Sequence, residues 1–188
     1  MIKKKYLIKI VLLISLIAFI NGFTSNIILE YDHTFYINDF IFKSSHINQS
    51  LTLHNSLFII LVFILSLSVF GLLIVYIIYY LEIFSIGYTF ALFIKYYKVK
   101  GFLFYLLFFL IFKFVFVFLF TYFIVMSSKF SKYFLRALVS KNDRGLIKRF
   151  QNHFVRFILI LMTVLIYSSL VQHFSVKIVS FLVALFKL

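Results

Sequence analysis

The chain contains no cysteine, no proline and no tryptophan, and only five of its 188 residues are acidic. Without cysteine it can form no disulfide, no thiolate metal site and no cysteine nucleophile. Without proline, no helix can be kinked by a proline ring, so any helix break must rest on glycine or polar residues. The acids are outnumbered by 19 lysines and arginines, and the formal net charge is +14.

Apolar sequence dominates what is present. Mean hydropathy is +1.12, and 64% of the residues are hydrophobic. Between Phe58 and Met126 the charged residues are Glu82, Lys95, Lys98, Lys100 and Lys113. A bilayer can hold such a stretch, because removing apolar surface from water contributes roughly 25 cal/mol per Å². The sequence therefore predicts an all-α, polytopic integral membrane protein, with 1–188 as one multi-pass domain in the cell membrane.

Basic residues at the ends of the apolar segments predict the topology. Lysines and arginines in such positions set orientation and contact anionic lipid head groups, so membrane lipids are expected partners and nucleic acid is not. Three lysines precede the first span, which puts the N-terminus in the cytoplasm. Residues 24–56 are then an outer loop, and the basic segment 127–156 is a cytoplasmic loop. An odd number of crossings must lie between these loops, for a total of about five. The predicted spans are 6–23, 57–80, 81–94, 102–126 and 157–174.

Two parts of this topology have alternatives. The first span resembles a cleavable signal peptide, although Ala18, Gly22 and Ser25 form no clean cleavage site. The segment 81–94 is short for a full crossing, which needs about 20 residues. A re-entrant hairpin at 81–94 would keep the lysines of 95–100 inside. We prefer the crossing, with a turn formed by 95–101.

Glu82 and Lys113 are the most informative ionisable residues. A charge deep in the membrane costs about 2.5–3.5 kcal/mol on insertion scales, so it usually faces protein and finds a partner. Lys113 lies near the middle of the span 102–126, and Glu82 lies between two predicted spans, nearer an interface. One interpretation is an ion or proton pathway. The other, which we favour, is a structural anchor, in which Lys113 snorkels or pairs with a polar group on a neighbouring helix or on a partner protein.

Three glycines are candidate helix-packing positions: Gly71, Gly87 and Gly101. In lipid, small residues let helices approach closely. The stretch from Lys129 to Arg156 mixes aromatic and aliphatic residues with cations. It predicts helix on the inner leaflet, with an acidic partner as the alternative.

No catalytic motif is present. The sequence has no Gly-x-Ser-x-Gly, HExxH, Walker or dinucleotide-binding pattern, so no catalytic residue and no cofactor is predicted. His33, His46 and His54 share the outer loop with acidic residues. Spacing alone does not establish metal geometry, and scattered interfacial histidines are the favoured interpretation, so no metal site is predicted. An intramembrane enzyme with a serine or threonine nucleophile is a further hypothesis that no motif marks.

The layout of the chain carries a family resemblance. A basic N-terminus and one span lead to an outer loop ending in His54-Asn55, followed by Gly71, Gly87 and Gly101 at intervals of 16, 16 and 14 residues. The stretch Gly87-Tyr-Thr-Phe is similar to the Gly-Phe-Thr element of a known membrane-protein family. The stretch Gly101-Phe is similar to the Asn-Gly-Phe turn of the same family. A basic inner loop and a final span follow. In these features the chain resembles the stage II sporulation protein M family of endospore-forming bacteria.

The resemblance implies a function. Members of that family are non-enzymatic membrane scaffolds of endospore engulfment. They recruit and localise the septal peptidoglycan hydrolases named stage II sporulation proteins D and P. The outer loop would then contact the hydrolases. The partner-contact candidates are Tyr31, Phe35, Tyr36, Phe40 and Asn55. The alternative from another class is a membrane subunit of a transporter or permease, with Glu82 and Lys113 near the substrate path.

Overall fold

A computed structural model describes residues 4–28, 37–68, 71–140 and 145–186, with the side chains of 4, 5, 37–51, 72, 140 and 176 excepted. All elements in this part of the chain are helices, and it contains no strand, as the all-α prediction requires. The five helices are α1 (Lys4–Ile28), α2 (Ile37–Ser66), α3 (Gly71–Phe112), α4 (Phe114–Ser140) and α5 (Leu146–Phe186).

Four stretches of helix are long and apolar enough to cross a membrane. They are Tyr6–Ile28, Leu73–Phe112, Phe114–Val139 and Leu146–Ser175, and the apolar part of α2, Thr52–Ser66, is shorter. About 20 helical residues suffice for the hydrocarbon core, because each adds 1.5 Å of length. Large apolar side chains such as Leu12, Leu73, Phe118 and Leu159 stand exposed on the outside of the helices. The protein is therefore membrane-embedded.

Lys98 divides α3 into two arms, 71–97 and 99–112. Its backbone has φ 50° and ψ −128°, which is not helical and which L-residues rarely adopt. The arms then pack against each other in opposite directions: the ring of Phe93 stacks on Phe104 at 5.2 Å, and Tyr105 donates a hydrogen bond to the Ile86 carbonyl at 3.0 Å. The chain thus doubles back inside the segment 95–101, which was predicted to form a turn.

The span predicted over 57–80 is not one helix. The helix α2 ends at Ser66, Leu67 and Ser68 form a turn, and α3 begins at Gly71. The amide N–H of Ser68 donates to the Leu65 carbonyl at 3.0 Å, and the Ser68 hydroxyl donates to the same oxygen. The residues at the break are mostly apolar, so hydropathy gave no sign of it.

The other predicted boundaries also shift. The segment predicted as the third span, 81–94, lies wholly inside the first arm of α3, and most of 102–126 continues from the second arm into α4. The predicted loops are partly helical, since α1 extends to Ile28, α2 begins at Ile37, α4 extends to Ser140 and α5 begins at Leu146. Hydropathy marks where side chains leave the hydrocarbon, whereas a helix continues until its backbone hydrogen bonds end.

Contacts between named residues give the directions of the helices. Ser15 contacts Tyr79 and Phe23 contacts Phe90, so α1 and the first arm of α3 run in the same direction. The helix α2 is antiparallel to α5: Thr52 meets Gln172, whereas Ser66, at the other end of α2, meets His153. The helix α4 is likewise antiparallel to α5, because Phe123 packs on Phe157 and Phe130 packs on Phe150.

Aromatic rings fill much of the core. The chain has 29 phenylalanines, and Phe93, Phe104, Phe116, Phe120 and Phe123 are among its most deeply buried side chains. Such rings stack in pairs between and along the helices, in tilted or offset arrangements that add to the gain from burial. The polar contacts described next lie between these helices.

Candidate functional site

An ion pair with a buried carboxylate joins the first arm of α3 to the start of α4. The Lys113 ammonium lies 2.8 Å from Oε1 of Glu82, and the Glu82 side chain is only 5% exposed. Lys113 is 22% exposed, and its Nζ also lies 5.6 Å from the centre of the Phe116 ring. The pair forms because the reversal at Lys98 brings the first arm of α3 alongside the start of α4. These are the two intramembrane charges that the sequence singled out.

His54 of α2 adds a third group to the pair. Its Nε2 lies 3.6 Å from Oε2 of Glu82, and its side chain is 48% exposed. The imidazole packs on the ring of Phe58, with centroids 4.5 Å apart. Each carboxylate oxygen of Glu82 thus faces a nitrogen from a different part of the chain. We call His54, Glu82 and Lys113 the charge cluster.

The positions of Glu82 and Lys113 differ in part from those predicted. Glu82 was expected between two spans, near an interface, but it lies inside the first arm of α3, well away from both ends of that arm. Lys113 lies between α3 and α4, where the hydrogen-bond ladder is continuous: its N–H donates to Phe109 at 2.9 Å, and its carbonyl accepts from Val117 at 2.8 Å. Of the anchor alternatives for Lys113, the structure shows the one in which it pairs with a polar group on a neighbouring helix.

A line of hydroxyl groups connects α1, the first arm of α3 and α4, about one helical turn from Glu82. The Tyr79 hydroxyl lies 2.6 Å from the Ser15 hydroxyl of α1 and 3.0 Å from the Thr121 hydroxyl of α4. Nearby, the Asn21 amide donates to the Tyr80 hydroxyl at 2.9 Å. In an apolar medium each of these groups needs a partner, so the hydroxyls hold the helices in register.

A second set of polar contacts joins α2 to α5. The Thr52 hydroxyl donates to Gln172 at 2.6 Å, and the Asn55 amide donates to the Ser168 hydroxyl at 3.2 Å. Asn55, a predicted partner contact, is only 1% exposed, so it serves this helix contact and not the surface. Of the other candidates, Tyr31, Phe35 and Tyr36 lie outside the described residues, and Phe40 lies in α2 with an undescribed side chain.

His153 is a buried polar residue that the sequence reasoning missed. Its Nε2 lies 3.0 Å from the Ser66 hydroxyl, and its ring stacks on Phe130 at 4.6 Å and on Phe123 at 5.8 Å. It was assigned to the basic loop 127–156 and given no role. No local sequence pattern links Ser66, at the end of α2, with a histidine that lies 87 residues later in the chain.

The predicted packing glycines all lie at close approaches of backbone. A Cβ at Gly87 would overlap the carbonyl oxygen of Phe19 in α1, and one at Gly101 would overlap that of Phe93 across the hairpin. Gly71 approaches the Leu65 carbonyl at the turn between α2 and α3, which is a chain reversal and not the middle of a span. Gly22, which was not among the predicted packing positions, faces the Phe84 carbonyl in the same interface as Gly87.

Two cavities lie beside α1. One, of about 570 Å³, lies between α1, α4 and α5, and we call it the basic cavity because Lys129, Arg149 and Arg156 line it. The other, of about 510 Å³, is apolar and lies between α1, α3 and α4. Neither is lined by a member of the charge cluster.

The chemistry open to the charge cluster is limited. It offers one carboxylate, one ammonium and one imidazole, and no group of three metal-ligating residues occurs among the described residues. His33 and His46, the other histidines of the predicted outer loop, have no described side chain. The arrangement neutralises charge between helices.

No family model matches this sequence, and no curated protein or solved structure is similar enough to it to count as a match. The residues and contacts described above are therefore the basis on which a function can be proposed.

Proposed function

We propose that the protein is a non-enzymatic membrane scaffold. The observation that carries this proposal is the charge cluster, in which Glu82 is engaged by Lys113 at one oxygen and by His54 at the other. An uncompensated charge in the membrane is costly, and the three members of the charge cluster, which come from α2, α3 and the junction of α3 with α4, offset that cost while fixing how these segments meet. The intramembrane charges thus have a structural use that needs no substrate.

The remaining polar contacts support the same proposal. The hydroxyls around Tyr79 and the amide of Asn55 both connect helices. Neither set of polar groups, taken as a whole, lines either of the two described cavities. Thr121 alone among these residues reaches the basic cavity, and Ser15 alone reaches the apolar one. Such contacts suit a bundle that presents loops and helix ends to other proteins.

The resemblance to stage II sporulation protein M gives the scaffold a specific role. In this role the protein gathers stage II sporulation proteins D and P at the cell membrane during engulfment. The aromatic residues Tyr31, Phe35, Tyr36 and Phe40 are then the proposed contacts with those hydrolases, on the side facing the cell wall. The acidic residues of the same segment would distinguish this face from the basic face of the bundle.

We also propose five crossings with a cytoplasmic N-terminus. The helix α1 and the first arm of α3 run in the same direction, so α2, which connects them along the chain, must cross in the opposite direction. These three segments therefore support three crossings. The hairpin at Lys98 and the antiparallel contact of α4 with α5 add two more reversals. The connection between α4 and α5 is rich in lysine and arginine, and the positive-inside rule favours the cytoplasm for it.

Affinity purification of the tagged full chain from sporulating cells, in mild detergent, tests the scaffold. Mass spectrometry of the copurified proteins is expected to find peptidoglycan hydrolases. A variant with alanine at Tyr31, Phe35, Tyr36 and Phe40 should lose them, whereas alanine at the exposed Leu73, Ile77 and Leu81 should not. Unchanged recovery with the first variant would sink the proposed contact surface, and absence of hydrolases from the intact chain would sink the specific role.

The transporter subunit is the second candidate, because a half-exposed His54 touches the buried carboxylate of Glu82. The double variant E82Q/K113Q separates the two functions. It keeps two hydrogen-bonding side chains of similar size but removes both charges. A scaffold should still recover its partners with this variant. A transporter subunit should copurify with an ATPase or a solute-binding protein, and its transport should be lost when Glu82 and Lys113 are neutral.

A further inference from the structure

The basic cavity has two chemically different ends. Lys129 of α4, Arg149 of α5 and the amide of Asn152 line one end, and Arg156 of α5 lies nearer the middle, at the level of Val125. The Arg149 guanidinium lies over the ring of Tyr133, with its central carbon 3.7 Å from the ring centre. A stacked guanidinium is held by its face and can still offer N–H groups at its edge to a phosphate. The described side chains that line the cavity include no carboxylate.

The other end of the basic cavity is apolar. Ile8 and Leu12 of α1 face Phe118, Tyr122 and Val125 of α4 there. Along α4 the lining changes from Phe118 to Lys129, which is a rise of about 16 Å at 1.5 Å per residue. That length is comparable to one leaflet of the hydrocarbon core, about 15 Å. The cavity therefore changes from apolar to cationic over the distance from an acyl chain to its head group.

We propose that the basic cavity binds an anionic phospholipid. The phosphate would lie among Arg149, Arg156 and Lys129, and an acyl chain would lie along Leu12 and Phe118. Cationic pockets between membrane helices favour anionic head groups, and each cation near the surface contributes about a factor of five in affinity. A free phosphate would use the cationic end but leave the apolar end without a ligand. The site is independent of which proteins the scaffold gathers.

A single tryptophan can report on this cavity, because the chain has none of its own. The reporter variant carries Tyr122→Trp, at the apolar end where an acyl chain would lie, and the control reporter carries Phe181→Trp, an exposed position elsewhere on α5. Each full-length variant is reconstituted in phosphatidylcholine vesicles. Brominated phosphatidylglycerol or brominated phosphatidylcholine then quenches the tryptophan, and the ratio of the two effects gives the lipid preference at that position.

We expect a phosphatidylglycerol preference at position 122 of at least roughly tenfold, and little preference at 181. Adding R149Q/R156Q should reduce the preference at 122 by roughly tenfold or more. Adding K132Q/K148Q, which removes the same charge from residues that do not line the cavity, should leave it nearly unchanged. Inorganic phosphate at millimolar concentration should not compete.

Three results would overturn the proposal. Equal quenching by both lipids at position 122 would mean that the cavity does not select an anionic lipid. An equal loss with R149Q/R156Q and K132Q/K148Q would assign the preference to the general charge of the protein. Loss of the preference in inorganic phosphate would make the site one for a free anion.

Discussion

At the scale of single residues, the ion pair of Glu82 with Lys113 is the clearest example of charge managed inside the bundle. Glu82 is almost fully buried, so its charge depends on the ammonium at 2.8 Å and on the imidazole at 3.6 Å. Replacing both partners of such a pair by neutral groups costs little, whereas removing one leaves an uncompensated charge. That asymmetry can be measured.

The first prediction is a double-mutant cycle on this pair. E82Q and K113M should each lower the free energy of unfolding by about 2–3 kcal/mol, at the low end for a buried pair because Lys113 and His54 are partly exposed. The combined E82Q/K113M protein should lose clearly less than the sum. Thermal unfolding of the four proteins in one detergent measures the coupling. Strict additivity would show that the two charges do not stabilise each other.

Lys98 is the second residue with an individual role. Its φ of 50° lies in the region that favours glycine, and no other described non-glycine residue has a positive φ. A lysine in that conformation costs about 1 kcal/mol relative to glycine, which adopts it freely. The packing between the two arms of α3, such as that of Phe93 on Phe104, therefore has to offset the backbone strain at Lys98.

The second prediction follows from that strain. Lys98→Gly should raise the free energy of unfolding by about 1 kcal/mol, because glycine accepts the positive φ. Lys95→Gly is the matched control, since it removes the same exposed side chain three residues earlier, inside the helical arm. It should destabilise by about 1 kcal/mol, the ordinary cost of glycine in a helix. Two shifts of the same sign in thermal unfolding would contradict the turn at Lys98.

At the scale of helices, the sequence predicted some breaks and not others. Without proline, breaks were expected at glycine or polar residues, and the described breaks fall near Ser68, Lys98 and Gly145. The run of lysines in 95–101 marked the hairpin, since three cations interrupt apolar sequence there. The break after Ser66 was missed, because one serine and one glycine among leucine, valine and phenylalanine scarcely change a hydropathy average.

The third prediction concerns the contact of α1 with α3, where Gly22 and Gly87 face backbone carbonyls. Gly87→Ala should destabilise by roughly 2 kcal/mol, because a Cβ would overlap the Phe19 carbonyl and backbone cannot move aside as a side chain can. Ser85→Ala, at an exposed position on the same arm, should have almost no effect. Detergent melting temperatures measure both. Equal melting temperatures for G87A and S85A would mean that α1 does not pack closely at Gly87.

At the scale of the whole molecule, composition was enough to predict the class of protein. The candidate site could be described only once the structure showed which side chains lie close together. Apolar runs were enough to predict a membrane-embedded helical protein, and the cost of buried charge was enough to single out Glu82 and Lys113. That these two residues pair depends on the turn at Lys98 and on helix rotation, which no local pattern records. The same holds for Asn55, whose burial against Ser168 depends on how α2 lies on α5.

The fourth prediction tests the proposed five crossings. Because the chain contains no cysteine, an introduced cysteine is the only thiol that can react with a maleimide. Val99 and Val139 are both exposed, Val99 beside the hairpin turn and Val139 near the end of α4. In intact cells, a membrane-impermeant maleimide should label Val99→Cys, whereas Val139→Cys should react only after permeabilisation. The cysteine-free parent should not react in either condition. If 81–94 were re-entrant, 95–101 would lie inside and the segment after the span 102–126 would lie outside, so both patterns would be reversed, as they would be if the N-terminus were outside. The labelling of the two valines therefore separates the proposed topology from both alternatives, since both of these predict the reversed pair of results.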